Sequence, residues 1–218
     1  MKLLLGIFLL SVTTAVYGDL HCEAPNPTLP NAWIDMTSGC ITAVRDQIQK
    51  EIDASFQYLA MGAHFSRDTV NRPGFADFFF DSAKEEREHA QHLIDYLTMR
   101  GQLTGEISSL IKIPTHMKTK WNHGVDALTD ALNLEAQVTK SIKGVIEKCE
   151  SDIAADSENN NKKIKVNDYH LVDYLTGVYL EEQHHGQREL AGKLSTLSKM
   201  MKHHGEIGEF LFDKTLKS

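Results

Sequence analysis

The chain is poor in proline, poor in cysteine and has no surplus of positive charge. Five prolines in 218 residues leave long stretches in which helices need not break. Those stretches carry periodic apolar segments with little strand-type alternation, which argues for an all-α domain. The 23 basic residues are outnumbered by 30 acids, giving a net charge of −7. The polyphosphate of nucleic acid is therefore an unfavourable partner, and cations are a favourable one. No repeat at a solenoid period appears, no Pro/Gly/Ser-rich linker divides the chain, and 41% apolar residues suffice for one sizeable core. Asn26 precedes Pro27, so no usable N-glycosylation acceptor is present.

Long apolar runs are equally scarce, with one exception. Lys2 is followed by LLLGIFLL and then SVTTAV, ending in Val16-Tyr17-Gly18, the layout of a secretory signal. It is too short to span a bilayer and lacks a stop-transfer flank. The expected division is a signal over 1–18, cleaved after Gly18 or alternatively after Ala15, a Cys-bearing extension over 19–37, and a helical domain over 38–218. Cys22 and Cys40 lie in the polar, Pro-rich segment ahead of the first helix and are expected to form disulfides in an oxidising compartment. Cys149 ends an apolar stripe and reads as a buried thiol. The odd total leaves open a bond to a second chain.

What the chain does have is acids on apolar stripes. In FADFFFDSAKEEREHAQHLIDYLTMRG, Phe75, Phe79, Ser82, Leu93 and Leu97 recur at helical spacing, and Glu86, His89 and Ala90 share their face. A lone Glu-x-x-His pair is usually solvated surface. Carboxylates from other helices at the same level would change that reading. A first helix over Ser38–Ser66 has inward positions Ile41, Val44, Ile48, Glu51, Ile52, Ser55, Tyr58 and Leu59, with Tyr58 placed to hydrogen-bond a ligand carboxylate. Asn71 and Pro73 start the second helix and Gly101 ends it. Residues 102–120 show no helical period and contain Pro114, which predicts a crossover along the bundle and a third helix parallel to the second.

The third helix, about Trp121 to Glu150, alternates spacings of four and three through Gly124, Leu128, Ala131, Glu135, Val138, Ile142, Val145 and Cys149. Glu135 stands at the centre of that stripe. SDIAADSENNNKK reads as a polar turn. A fourth helix over about Asp168 to Lys199 turns Val172, Leu175, Tyr179, Gly186 and Leu190 inward. In its central EEQHH, either Glu182 with His185 or Gln183 could face the core; the stripe 179, 183, 186, 190 favours Gln183. His184 and His185 then face solvent or a cavity, and His203 and His204 belong to a solvated linker. GEIGEFLFDKTL closes the chain as a short fifth helix too apolar to stand free. An all-α four-helix bundle with one long crossover plus that helix is the predicted fold, because inward Glu and Glu-x-x-His on facing helices is the ligand pattern of di-iron carboxylate bundles, and oxygen plus imidazole donors suit iron.

The runs EIDASFQYL at 51–59, EEREHAQHLIDYLTMRG at 85–101, ALNLE at 131–135, YLEEQ at 179–183 and EFLFDKTL at 209–216 resemble the ferritins of heavy-chain type, in one collinear order over about residues 38–216. By position the resemblance makes Glu51, Glu86, His89 and Glu135 the ferroxidase ligands, with Glu86 bridging two irons, and sets Tyr58 and Gln183 beside them. All six are present, as in an oxidising subunit. The signal and the Cys-bearing extension resemble secreted arthropod ferritins, which implies a 24-subunit cage shared with light-chain-type subunits. Asp173 matches the position that lines a three-fold iron channel. Thr176 stands where the family usually has glutamate, so cation access is weaker there or takes another route. Glu85 and Glu88 match acids that pass iron toward the mineral, and Gln91 replaces a frequent acid.

The implied activity is oxidation of Fe²⁺ to Fe³⁺ by O₂ at a di-iron centre, with ferric mineral stored in the cage, in the secretory lumen or outside the cell. The competing class is a secreted helical bundle without redox chemistry, or a cage subunit supplying only mineral nucleation and iron transport. Such proteins give no reason to place Glu51, Glu86 and Glu135 on three inward stripes.

Overall fold

Apolar residues at helical spacing form α1 (Ser38–Ser66), α2 (Pro73–Met99) and α3 (Gly124–Glu150). The computed structural model describes residues 30–103, 110–155 and 163–217, with backbone alone at 152–155 and 163–165. The expected secretory signal, its cleavage point and Cys22 lie outside those residues. In α1, Val44, Ile48, Glu51, Ser55 and Tyr58 are buried. Leu59, expected inward, is 43% exposed: it lies two turns beyond the half-buried Ile52, on the flank of the stripe rather than its centre.

Helix directions follow from paired residues. Gly62 of α1 lies against the Phe80 ring of α2, and Ser55 Oγ donates to the Ala83 carbonyl at 2.6 Å, so α1 and α2 run antiparallel. Along α1 and α3 the partners are Cys40 with Cys149, Lys50 with Ser141 and Tyr58 with Glu135, again antiparallel. Hence α3 runs parallel to α2, as a crossover requires. Two amides on α1 pin that crossover: Gln49 exchanges hydrogen bonds with both backbone groups of Lys112, and Gln57 does the same with Lys118. Gly101, at φ 68°, supplies the left-handed residue that ends α2. A Cβ there would sit 2.7 Å from the Trp33 ring, so glycine also leaves room for that ring at this end.

Four expectations need correcting. Cys149 is no free thiol: it is disulfide-bonded to Cys40, 109 residues away, with the Cα atoms 4.7 Å apart. Cys40 lies inside α1 rather than ahead of it, because α1 and α3 bring its first turn level with the last turn of α3. The acidic stretch after α3 is more than a turn, since β1 (Asp152–Ala155) and β2 (Lys163–Val166) pair antiparallel with Asp152 opposite Val166. The fourth bundle helix is also not uniform. It comprises α4 (Tyr169–Tyr174), a π-helical turn (Leu175–Tyr179) and α5 (Leu180–His204), so His203 and His204 end the helix rather than forming a linker.

The last helix, α6 (Glu206–Leu216), follows Gly205 at φ 57°. Two of its acids cap other helices. Asp213 Oδ1 accepts from the backbone N–H of Gly74 at 2.8 Å and of Phe75 at 3.1 Å, and Glu209 accepts from Gly124 N–H and from Arg72. The first turns of α2 and α3 thus find acceptors for donors that no residue in their own helix can satisfy. Two apolar clusters fill the bundle. One holds Val44, Ile48, Leu93, Ile142 and Leu175, the other Phe65, Phe75, Phe79, Leu128 and Phe212.

Candidate metal centre

Glu51, Glu86 and His89 each offer a ligand atom within 4.8 Å of the others, in the interior where the two clusters meet. All three are buried, Glu51 completely. Gln47, one turn before Glu51, donates to Glu51 Oε1 at 2.7 Å and fixes that carboxylate. The other oxygen, Glu51 Oε2, makes no hydrogen bond, and neither do Glu86 Oε2 and His89 Nδ1, which face each other at 3.5 Å. Leaving a buried polar atom unpaired costs about 1–3 kcal/mol each, and more for a charged group. These orphaned atoms, turned toward one another, fit a cation.

Electrostatics say the same. Burial first, then the charge of Glu86, pushes the Glu51 carboxyl well above its ordinary range. Burial first, then Glu135, does so for Glu86. Without metal, protons must neutralise these acids; with metal, the cation does.

Glu135 reaches the site from α3. It is half-buried and accepts a 2.5 Å hydrogen bond from the Tyr58 hydroxyl. Gln183 is buried, but Thr139 Oγ1 donates to its Oε1 at 2.8 Å, and the Gln187 amide donates to the same hydroxyl. Its carbonyl oxygen is therefore turned to α3. A cavity of about 140 Å³ is lined by Tyr58, Glu86, His89, Glu135 and Gln183, with Glu85, Glu182 and Glu189 also on its wall. Glu85 is raised by burial. Glu88 is not brought there: it pairs with Lys84 at 3.4 Å and lines a separate depression beside Gln91. Asp173 and Thr176 are exposed on the fourth helix. Gly186, expected inward, is exposed, with nothing within 4 Å of where a Cβ would stand, because the cavity opens at that level. His184 and His185 are exposed.

Sequence reasoning weighed Glu182 only as a partner of His185 and set it aside in favour of Gln183. Glu182 is 60% exposed, yet its Oε1 lies 3.4 Å from His89 Nε2, where a carboxylate orients the imidazole and leaves Nδ1 to face Glu86. The clue was its Glu-x-x-His spacing with His185, which pointed to the wrong histidine. Gln47 was also legible, four residues before Glu51.

The family model of the ferritin-like domain matches residues 41–200. The chain belongs to the ferritin family. It is similar to a ferritin heavy chain of Drosophila melanogaster, 59% identical over 215 residues and covering 99% of each chain. It is 57% identical over 196 residues to a ferritin heavy chain of Papilio xuthus, covering 90% of this chain and 88% of that one. The crystal structure of Trichoplusia ni secreted ferritin superposes with a TM-score of 0.81 at 55% identity, over 89% of this chain and 96% of that chain. In this ferritin the buried acids therefore stand in a fold whose members bind iron and assemble into multi-subunit cages.

Proposed function

We propose that this ferritin chain is an oxidising subunit for iron storage and detoxification, taking Fe²⁺ and O₂ as substrates. O₂ takes one electron from each of two Fe²⁺ ions and leaves as hydrogen peroxide once two protons are added. The observation that carries this reading is the set of unpartnered buried atoms on Glu51, Glu86 and His89. In the assignment we favour, Glu51 and His89 hold one iron, Glu86 bridges, and Glu135 holds the second beside Tyr58 and Gln183. Hard carboxylate oxygens stabilise the Fe³⁺ product by charge. A centre with one imidazole lets that product move on, past Glu85 and Glu182 at the cavity wall, to mineral in the cage.

The wider organisation follows the same reading. Residues 1–18 act as a secretory signal, residues 19–37 as an extension whose Cys22 links to another chain, and residues 38–218 as the di-iron domain. The Cys40–Cys149 disulfide supports an oxidising compartment, so the product is a secreted or lumenal ferritin. Copies of the chain and light-chain-type subunits build a 24-subunit cage. Iron reaches the interior past Asp173, with Thr176 weakening that route.

Stopped-flow mixing at a few Fe²⁺ per subunit tests the site. Glu86→Ala combined with His89→Ala removes the fast initial oxidation; an unchanged initial rate contradicts the assignment.

A further inference from the structure

A file of aromatic rings leads from the metal centre to the surface. The His89 ring lies 5.7 Å from Tyr179, and Tyr179 lies 5.6 Å from Tyr174, edge to face. Tyr174 in turn stacks on Tyr96 at 5.4 Å with the rings 15° apart. Tyr96 lies 5.6 Å from His170. Each ring touches the next, and the file links α2 to the fourth helix across its π-helical turn. Tyr179 and Tyr96 are buried, Tyr174 is half-buried, and His170 is exposed.

Packing alone explains rings in contact. It does not explain the far end. The Tyr96 hydroxyl oxygen accepts from Arg100 Nη1 at 2.8 Å and lies 2.9 Å from His170 Nδ1. A guanidinium has no acceptor, so with the His170 proton on Nε2 the phenolic proton points to the imidazole. Arg100 is itself paired with Asp35 at 2.6 Å and Asp168 at 2.9 Å, which offsets its charge beside the ring. Tyr96 is thus a phenol with a base in hydrogen-bond contact. By contrast, Tyr179 donates to the His89 backbone carbonyl at 2.8 Å, an oxygen that takes no proton. Losing an electron is easiest where the proton has somewhere to go.

We infer that Tyr179, Tyr174 and Tyr96 form a one-electron relay that carries oxidising equivalents out of the metal centre to Tyr96, where a small-molecule reductant of the ascorbate class quenches them. The inference rests on the two-iron reading above, whose product is hydrogen peroxide. When that peroxide meets Fe²⁺ still at the centre, one electron from iron cleaves the O–O bond and leaves a one-electron oxidant of hydroxyl-radical strength. A second electron comes from Tyr179 and is replaced through Tyr174 by Tyr96, whose proton passes to His170 Nδ1. With two solvent protons the peroxide becomes two waters. The reductant then returns an electron to Tyr96, and His170 returns the proton. In sum, one peroxide, one Fe²⁺, one electron from the reductant and two protons give one Fe³⁺ and two waters, with the ligands around the centre undamaged.

The test loads the whole assembled protein with Fe²⁺ under anaerobic conditions, adds hydrogen peroxide, and follows tyrosyl radical by freeze-quench electron paramagnetic resonance with and without ascorbate. Wild type forms a radical that ascorbate removes. Tyr96→Phe and the surface variant His170→Gln keep the initial rate of Fe²⁺ oxidation by O₂ but lose ascorbate quenching, and peptide mapping finds more oxidised residues around the centre. Tyr58→Phe keeps the quenchable radical. The relay is overturned if Tyr96→Phe and His170→Gln quench as wild type does, or if Tyr58→Phe alone abolishes the signal. Wild type that oxidises Fe²⁺ with O₂ yet forms no tyrosyl radical overturns the relay and leaves the two-iron reading standing. Wild type that does not oxidise Fe²⁺ overturns both.

Discussion

The Tyr58 hydroxyl donates to Glu135 Oε1 at 2.5 Å across 77 residues of chain, joining α1 to an acid of α3 that lines the cavity. Tyr58 is buried and its phenol is held protonated, raised first by burial and then by the Glu135 charge. The bond orients the carboxylate without supplying a metal ligand. Tyr58→Phe should leave the helix content unchanged and slow the initial Fe²⁺ oxidation by about tenfold, the usual loss when a group that orients a ligand is removed. Circular dichroism with stopped-flow absorbance checks both; an unaltered rate would mean that Glu135 needs no such support.

Metal-free stability should depend on pH through Glu51 and Glu86. Their folded pKa values lie above the ordinary 4.5, so as pH rises past that value the unfolded chain gives up protons that the folded chain retains. The folded state then binds more protons, and folding stability falls with rising pH. This contribution is fully present below about pH 4 and is lost as pH climbs toward the folded values. Thermal unfolding of metal-free wild type against Glu51→Gln should therefore show the wild type losing more stability between about pH 5 and about pH 8. A redox-inert divalent cation such as Zn²⁺ should narrow that gap and release protons on binding. Parallel pH profiles would contradict the electrostatic account.

The Cys40–Cys149 bond closes a loop of 109 residues between the first turn of α1 and the last of α3. Replacing both cysteines by serine should lower unfolding free energy by roughly 2–5 kcal/mol, read as a lower denaturant midpoint. The centre lies away from this end, so the initial oxidation rate should be kept. A midpoint unchanged by the substitution, or by reductant on wild type, would show that the bond adds nothing.

Asp213 is fully buried and accepts two backbone hydrogen bonds at the start of α2. Asp213→Ala should cost about 2–3 kcal/mol, since two buried N–H donors lose their acceptor, and Ile207→Ala on the exposed face of the same helix should cost little. Thermal unfolding of the two variants separates the cap from a general effect of changing α6.

These residues also mark where local pattern stops being informative. Helix α1 was legible in its bounds and along most of its inward face, with Leu59 on the flank the exception, because charge interrupts the stripe only at Glu51. Glu135 stood out because no solvated face explains an acid in the middle of seven apolar or small positions. The Cys40–Cys149 pairing was not legible, since it depends on the register between two helices separated by the crossover, and Cys149 by itself looks like any small apolar residue. The capping roles of Asp213 and Glu209 were hidden for the same reason: the donors they satisfy belong to helices far away in sequence. The π-helical turn did leave a trace. Leu171, Leu175, Tyr179 and Gln183 are all buried at a constant spacing of four, which in an α-helix drifts by about 40° per step. A wider turn absorbs that drift and keeps Tyr179 and Gln183 on the inner face.

The most direct measurement is anomalous diffraction from crystals soaked anaerobically in Fe²⁺. The account predicts two iron peaks in the cavity, one beside Glu51 and His89 Nδ1, one beside Glu135, with a Glu86 oxygen on each. Iron found only at surface carboxylates, with Glu51, Glu86 and His89 unchanged and free of metal, would contradict it.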